Sequence, residues 1–64
     1  MRVDINKATT EQLIAITQIG PARAEAIITY RSTNKFRDLY ELSALRGIGQ
    51  KRIDAIVSEG IAYC

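Results

Sequence analysis

The sequence predicts an all-α domain made of two copies of one unit, each a helix, a tight turn and a second helix. Three observations lead there. Sliding the chain by 29 residues (49 − 20) brings its halves into register, so that Leu13 meets Leu42, Ala15 meets Ala44, Ile19 meets Ile48, Gly20 meets Gly49, Arg23 meets Arg52, Ala26 meets Ala55 and Ile27 meets Ile56. Matches that dense in so short a window mark an internal repeat. Each half also opens on a helix-start signal and carries apolar residues at helical spacing. Finally, each half is broken in the middle by a glycine turn.

Taken in order, Met1–Lys7 reads as an extended arm. Val3 and Ile5 alternate against Arg2 and Asp4, but no partner strand is evident, and Ile5 is expected to plug the core. Thr9-Thr10-Glu11-Gln12 is a capping box that opens a short helix to about Ile16, with Leu13 and Ile16 on one face. Thr17-Gln18-Ile19-Gly20 breaks it, and Pro21 suits the first position of the next helix, where its missing N–H costs nothing. That helix runs to roughly Ser32, with Ala24, Ile27, Ile28 and Arg31 on one stripe and Arg23, Glu25 and Thr29 off it. Thr33-Asn34-Lys35 connects the halves, and Phe36 is expected to wedge between them. Asp38-Leu39-Tyr40-Glu41 repeats the capping-box logic and starts a third short helix with Leu39, Leu42 and Leu45 apolar. A fourth helix begins at about Gln50, with Ile53, Ile56 and Val57 inward and Gly60 as its C-cap. Ile61–Cys64 reads as a tail.

The totals exclude several classes of function. With 64 residues, 47% of them hydrophobic and 25% charged, the chain makes one domain, with units at about 9–32 and 38–60. That length is near the lower limit for a self-sufficient core and leaves no room for a substrate cleft beside a scaffold. Histidine is absent and Cys64 is the single thiol, so no intrachain disulfide, zinc cluster or Cys–His pair is available. No apolar run approaches the ~20 residues that span a bilayer. A soluble domain is the expectation. The acids (Asp4, Glu11, Glu25, Asp38, Glu41, Asp54, Glu59) form no convergent pair, and helix capping accounts for several of them. No catalytic constellation survives, and the chain is not expected to be an enzyme.

Leu45-Arg46-Gly47-Ile48-Gly49-Gln50-Lys51-Arg52-Ile53 carries the chemistry. Gly47 and Gly49 suggest backbone angles that a side chain would forbid. With little bulk on the turn, its N–H groups can approach another molecule. The next helix points its unpaired N–H groups and positive dipole end the same way, and Lys51 and Arg52 add full charges. This arrangement suits a phosphate. A Gly-x-Gly between two helices is more often a plain C-cap and turn; the repeat is what raises the reading. A basic residue is unfavourable near a helix N-terminus, yet Arg23 and Arg52 both stand there, which points to an external anion. Arg46, beside the turn, is a further candidate. Lys35 and Arg37 read as solvated linker charge, Arg31 as a snorkelling side chain that complements a helix C-terminus, and Tyr30, Tyr40 and Tyr63 as packing rather than base-stacking residues. If the units share one core about an approximate two-fold axis, both turns lie on one side. Paired phosphate sites then suit the two strands of a duplex.

Ile19-Gly20-Pro21 and Gly47-Ile48-Gly49 resemble the hairpins of helix-hairpin-helix DNA-binding domains. Val3-Asp4-Ile5-Asn6-Lys7-Ala8-Thr9, with Glu11 and Leu13, is similar to the start of ComEA-type competence DNA receptor domains, as is Phe36-Arg37-Asp38-Leu39-Tyr40-Glu41-Leu42 to their linker. The match covers almost the whole chain and implies a small helical SAM-like fold, of the kind seen in RuvA domain 2, with two units related by a pseudo-two-fold axis. It also implies sequence-independent binding of double-stranded DNA through the backbone, across the minor groove. The candidate DNA-binding residues are Gln18, Ile19, Gly20, Ala22 and Arg23 in the first turn, and Arg46, Gly47, Ile48, Gly49, Lys51 and Arg52 in the second. Some relatives hold a monovalent cation, K+ or Na+, on hairpin carbonyls that fall here on Ser43, Leu45 and Ile48.

Two departures stand out. Gln18 occupies the place of the first hairpin glycine, and a glutamine disfavours positive φ, so that turn is expected to be distorted or to bind less tightly. Ala22 stands where the second unit has Lys51. The first site should be the weaker, with Gly20 and Arg23 its main contributors. The alternatives are a domain that kept the fold as a protein-interaction or structural module, and the targeting domain of a larger DNA-uptake or nuclease protein. The compartment is open too: cytoplasmic for a complete chain, cell surface or periplasm for an excised ComEA-type domain. The oligomeric state is not legible.

Overall fold

A computed structural model describes all 64 residues. Its helices are α1 (Thr10–Ile14), α2 (Pro21–Arg31), a 3₁₀ helix (Leu39–Ala44) and α3 (Gln50–Glu59), flanked by strands β1 (Val3–Asp4) and β2 (Ala62–Tyr63). Local chemistry explains most boundaries. The Thr9 hydroxyl accepts the Gln12 N–H at 3.2 Å while the Gln12 side chain accepts the Thr9 N–H at 2.9 Å, so the capping box forms as expected and fixes where α1 begins. Pro21 sits at the start of α2. Gly60, at φ 77°, closes α3 in the left-handed conformation that a glycine C-cap supplies.

One core lies beneath all four helices. Leu13, Ile16, Ile27, Leu42, Ile53, Ile56 and Ile5 are fully buried, and no polar or charged residue is buried among them. Phe36 is buried as well and stacks on Tyr30, with ring centroids 4.7 Å apart. Ile5 plugs the core from the N-terminal arm, as the sequence suggests.

The all-α expectation needs one correction. The arm does have a partner: β1 and β2 pair in parallel, Val3 opposite Ala62 and Asp4 opposite Tyr63. Val3 donates to the Ile61 carbonyl at 2.8 Å and Ile5 to that of Tyr63 at 2.9 Å. What read as a tail is therefore a clip joining the two ends of the chain, with Ala62 buried beneath it. Two residues per strand give no alternation to detect, and the partners stand at opposite ends of the sequence.

Three smaller corrections follow from packing. The third helix is 3₁₀, tied by i→i+3 bonds such as Leu45 N–H to Leu42 O at 3.0 Å. Its box is half-formed: Asp38 accepts the Glu41 N–H at 3.1 Å, but Glu41 turns to the Arg37 N–H (2.9 Å) and the Tyr30 hydroxyl (2.9 Å). Val57 is 40% exposed rather than inward, because it follows Ile56 by one step of about 100° around α3. Arg31 does not snorkel to solvent; its Nη1 donates to the Ile5 carbonyl at 2.9 Å and pins the arm.

Candidate nucleic-acid interface

The two turns share one backbone conformation. Ile16–Gly20 and Leu45–Gly49 carry the same succession of bend, turn and extended residues. Ile19 N–H bonds to Ile16 O at 3.2 Å, and Ile48 N–H to Leu45 O at 3.3 Å. After each turn, Ala24 bonds back to Gly20 O at 2.9 Å and Ile53 to Gly49 O at 3.1 Å. Ile19 and Ile48 are both buried and plug the core beneath their turns. Their contribution outward is main chain alone.

The expected distortion at Gln18 is absent. Gln18 adopts φ 66°, the left-handed conformation that Gly47 takes at φ 86° in the matching place. The surrounding hydrogen bonds hold the glutamine in this strained region, at a cost of order 1–2 kcal/mol. Gly49 corrects the expectation in the opposite sense. Its φ is −98° and ψ −176°, and Gly20 matches it at −98° and −173°, a conformation any residue adopts. A Cβ at Gly20 or Gly49 would meet nothing within 4 Å. Nothing inside the fold requires glycine at either position.

Helix capping divides the four helices into two kinds. The helices that enter the turns, α1 and the 3₁₀ helix, have side-chain caps from Thr9 and Asp38 and an acid in the first turn, Glu11 and Glu41. The helices that leave the turns, α2 and α3, have glycine N-caps, no side-chain cap and no acid in the first turn. Their first N–H groups have no intrahelical partner, and the positive end of each dipole is left uncompensated. Such ends accept an anion from outside.

The side chains around these ends differ between the turns. Arg46, Lys51 and Arg52 are all exposed, as are Gly47 and Gly49. In the first turn Gln18 and Ala22 are exposed, Gly20 is partly so, and Arg23 is half-buried. Glu59, a residue that sequence reasoning assigned no role, accepts the Thr17 N–H at 2.9 Å from the last turn of α3. A carboxylate thus touches the first turn at the place where the second carries Arg46. The pairing spans 42 residues, and the sequence holds no signal for it.

The remaining polar groups are structural. Asn6 donates from its side-chain nitrogen to the Phe36 carbonyl at 2.9 Å and accepts the Phe36 N–H at 2.8 Å, locking arm to linker. Two hydrogen bonds hold the Glu41 carboxyl below its ordinary value, first the one from the Arg37 main-chain N–H and then the one from the Tyr30 hydroxyl. The Tyr30–Glu41 bond, above all, raises the Tyr30 hydroxyl. Tyr63 lies under the Arg2 guanidinium at 4.6 Å, whereas Tyr40 is 56% exposed and does not pack as expected. Partial burial, and then the carboxylates of Asp38, Asp4 and Glu41, push the Cys64 thiol up, which keeps it un-ionised and a poor nucleophile. No helix is long and apolar enough to cross a membrane.

Two uncapped helix N-termini, each behind a left-handed turn residue and a buried isoleucine, define a hairpin module built to present main-chain donors. The chain belongs to the helix-hairpin-helix family, whose motif model matches residues 1–59, and it is a ComEA-like member. It is similar to ComE operon protein 1 of Bacillus subtilis (strain 168), 44% identical over 57 residues, which is 88% of this chain and 28% of that protein. It is also similar to a deoxyribonuclease of Thioalkalivibrio sp. (strain K90mix), 45% identical over 60 residues, 94% of this chain and 16% of that protein. The chain therefore spans less than a third of the length of either relative.

Proposed function

We propose that this domain binds double-stranded DNA without sequence choice, by offering the N–H groups that open α2 and α3 to backbone phosphates. The observation that carries the reading is the contrast in capping: the two helices that follow the turns lack the caps and first-turn acids that the other two possess. In this reading an approximate two-fold axis relates the units and sets both turns against the minor groove, one on each strand. The Gly47, Gly49 and Arg52 N–H groups hold one phosphate with help from Lys51 and Arg46; the main-chain N–H groups of Gly20, Ala22 and Arg23 serve the other. Phosphate contacts of this kind fix position without reading bases. The domain acts as a binding module, and any catalysis belongs to other parts of a longer protein. A relative named as a deoxyribonuclease has DNA as its substrate, which suits a DNA-holding segment.

A K+ or Na+ ion would sit on the carbonyl oxygens of Ser43, Leu45 and Ile48. The donor set fits: the Leu45 carbonyl takes one hydrogen bond, from Ile48 at 3.3 Å, and keeps a second lone pair. Uncharged oxygen ligands suit a hard monovalent ion, which would add positive charge beneath the turn.

Neutralising three to five phosphates gives a log–log salt slope of roughly −3 to −5, with affinity in the non-specific range of ~10⁻⁴–10⁻⁶ M at physiological salt. Such a module works best tethered or in multiple copies. Gly49→Glu combined with Lys51→Glu should abolish a salt-sensitive mobility shift of a random duplex while the helical spectrum stays intact. Unchanged binding removes the mechanism. A protein-interaction module is the rival reading, and the Glu59 carboxylate on the first turn is the feature that favours it; it requires that no amide near either turn respond to DNA at low salt.

A further inference from the structure

The repeat pairs Arg23 with Arg52 and so assigns Arg23 to the first turn. Its side chain lies elsewhere. Nε and Nη2 of Arg23 would each stand 3.9 Å from a Cβ placed on Gly47, the left-handed residue of the second turn. The guanidinium has crossed from α2 to the other hairpin. Nε is buried there and has no hydrogen-bond partner, the single such side-chain polar atom in the domain. Arg31 shows the usual solution, donating to a carbonyl at 2.9 Å. Folded proteins rarely seal a charged donor away without an acceptor, and an acceptor brought by a ligand accounts for this one.

The edge involved is informative. Nε and Nη2 form the side of a guanidinium that grips two oxygens of a phosphate with parallel N–H bonds. That edge is the one facing Gly47, which has no side chain to compete for it. Arg52, by contrast, is exposed on its own helix.

We infer that Arg23 serves the second turn, so that the two hairpins together form one composite phosphodiester subsite. The α2 helix supplies a side-on guanidinium, and the Gly47–Arg52 turn supplies main-chain donors, Lys51 and Arg46. The inference rests on the phosphate-binding reading above and deepens it. Its consequence is an uneven grip: the first turn keeps only the main-chain donors of Gly20, Ala22 and Arg23, since Pro21 has no N–H, and one DNA strand is held more tightly than the other.

A double-mutant cycle tests the assignment, with fluorescence anisotropy of a random duplex at low salt as the readout. Arg23→Gln should weaken binding about tenfold. Combined with Gly49→Ser, which blocks the second turn, it should cost little more; combined with Gly20→Ser, which blocks the first, it should cost the full factor again. Arg23→Lys keeps the charge without the planar edge, and should fail to restore binding. The reverse pattern, full additivity with Gly49→Ser and none with Gly20→Ser, overturns the composite site, as does unchanged binding by a folded Arg23→Gln. If that variant does not fold, full binding by Arg23→Lys overturns it equally. Failure of the unaltered domain to bind DNA at all would strike instead at the phosphate-binding reading beneath.

Discussion

Gly49→Ser should raise stability and lower DNA affinity, and the opposite signs make it the most discriminating single change. Gly49 caps α3 at φ −98° with no side-chain hydrogen bond, and a Cβ there enters open space. Serine fits that backbone without strain. Its hydroxyl can accept a first-turn N–H, which is worth a few tenths of a kcal/mol over glycine. Restricting the unfolded chain adds about 0.4–1 kcal/mol. In a domain this small a gain of about 1 kcal/mol raises Tm by roughly 4–8 °C. The same hydroxyl takes the donor meant for phosphate and stands in its approach. Losing one charge-assisted hydrogen bond costs about 1.5–3 kcal/mol, or about tenfold to a hundredfold in Kd. Thermal melting by circular dichroism and anisotropy titration of a random duplex measure the two effects. A stabilised variant that binds as before would refute the claim that this N-terminus holds the ligand.

Three further outcomes test other parts of the structure. Gln18→Gly should stabilise by up to about 1 kcal/mol, because relief of a left-handed residue worth about 1–2 kcal/mol exceeds the added chain entropy of about 0.5–1 kcal/mol; chemical denaturation reads it, and a loss of stability would show that the φ of 66° is unstrained. Asn6→Ala should destabilise by about 2–4 kcal/mol, since it removes two hydrogen bonds and orphans both main-chain groups of Phe36; a change below about 0.5 kcal/mol would mean that the arm contributes little. The Glu41 carboxyl has its folded pKa depressed, first by the Arg37 N–H, so its stabilisation is complete above the unfolded carboxylate range and disappears as pH falls through the folded value. Glu41→Gln should therefore flatten the acid limb of a stability–pH curve while leaving its alkaline limb in place, and an unaltered acid limb would contradict the assignment.

Much of the helical framework was legible because its signals are local. Thr9 and Gln12, Pro21 and Gly60 each act on their own few residues, and the repeat carried Leu13, Ile27, Leu42 and Ile56 into one core without any three-dimensional information. The turns were legible for the same reason, but the isoleucine of each, a candidate contact in the sequence, is buried beneath its turn. What escaped was long-range or conformational. The β1–β2 clip, the Asn6–Phe36 lock and the Glu59–Thr17 cap join residues remote in sequence through at most a few hydrogen bonds each, which leave no periodic trace. Gln18 escaped in a different way: a propensity argument held that glutamine would avoid φ > 0, and tertiary context overrode it. Arg23 was assigned by symmetry to the turn beside it. Its side chain is long enough to reach the other one, and no sequence repeat encodes that direction.

Several features around the two turns make the isolated fold less stable than it could be. Serine would cap α2 and α3 better than Gly20 and Gly49 do, and nothing in the backbone or the packing forbids it. Lys51 and Arg52 sit in the first turn of α3, against its dipole, where Glu11 and Glu41 show that this chain elsewhere places acids. The Nε of Arg23 is sealed without an acceptor. Each feature costs the free domain something, and all fall within residues 20–23 and 49–52. An anion at the helix ends reverses the sign of every one: it takes the uncapped N–H groups, neutralises the repelled cations and supplies the missing acceptor. Local violations of folding rules that share one remedy support the phosphate-binding proposal, because the remedy they share has the charge and the acceptor oxygens of a phosphate.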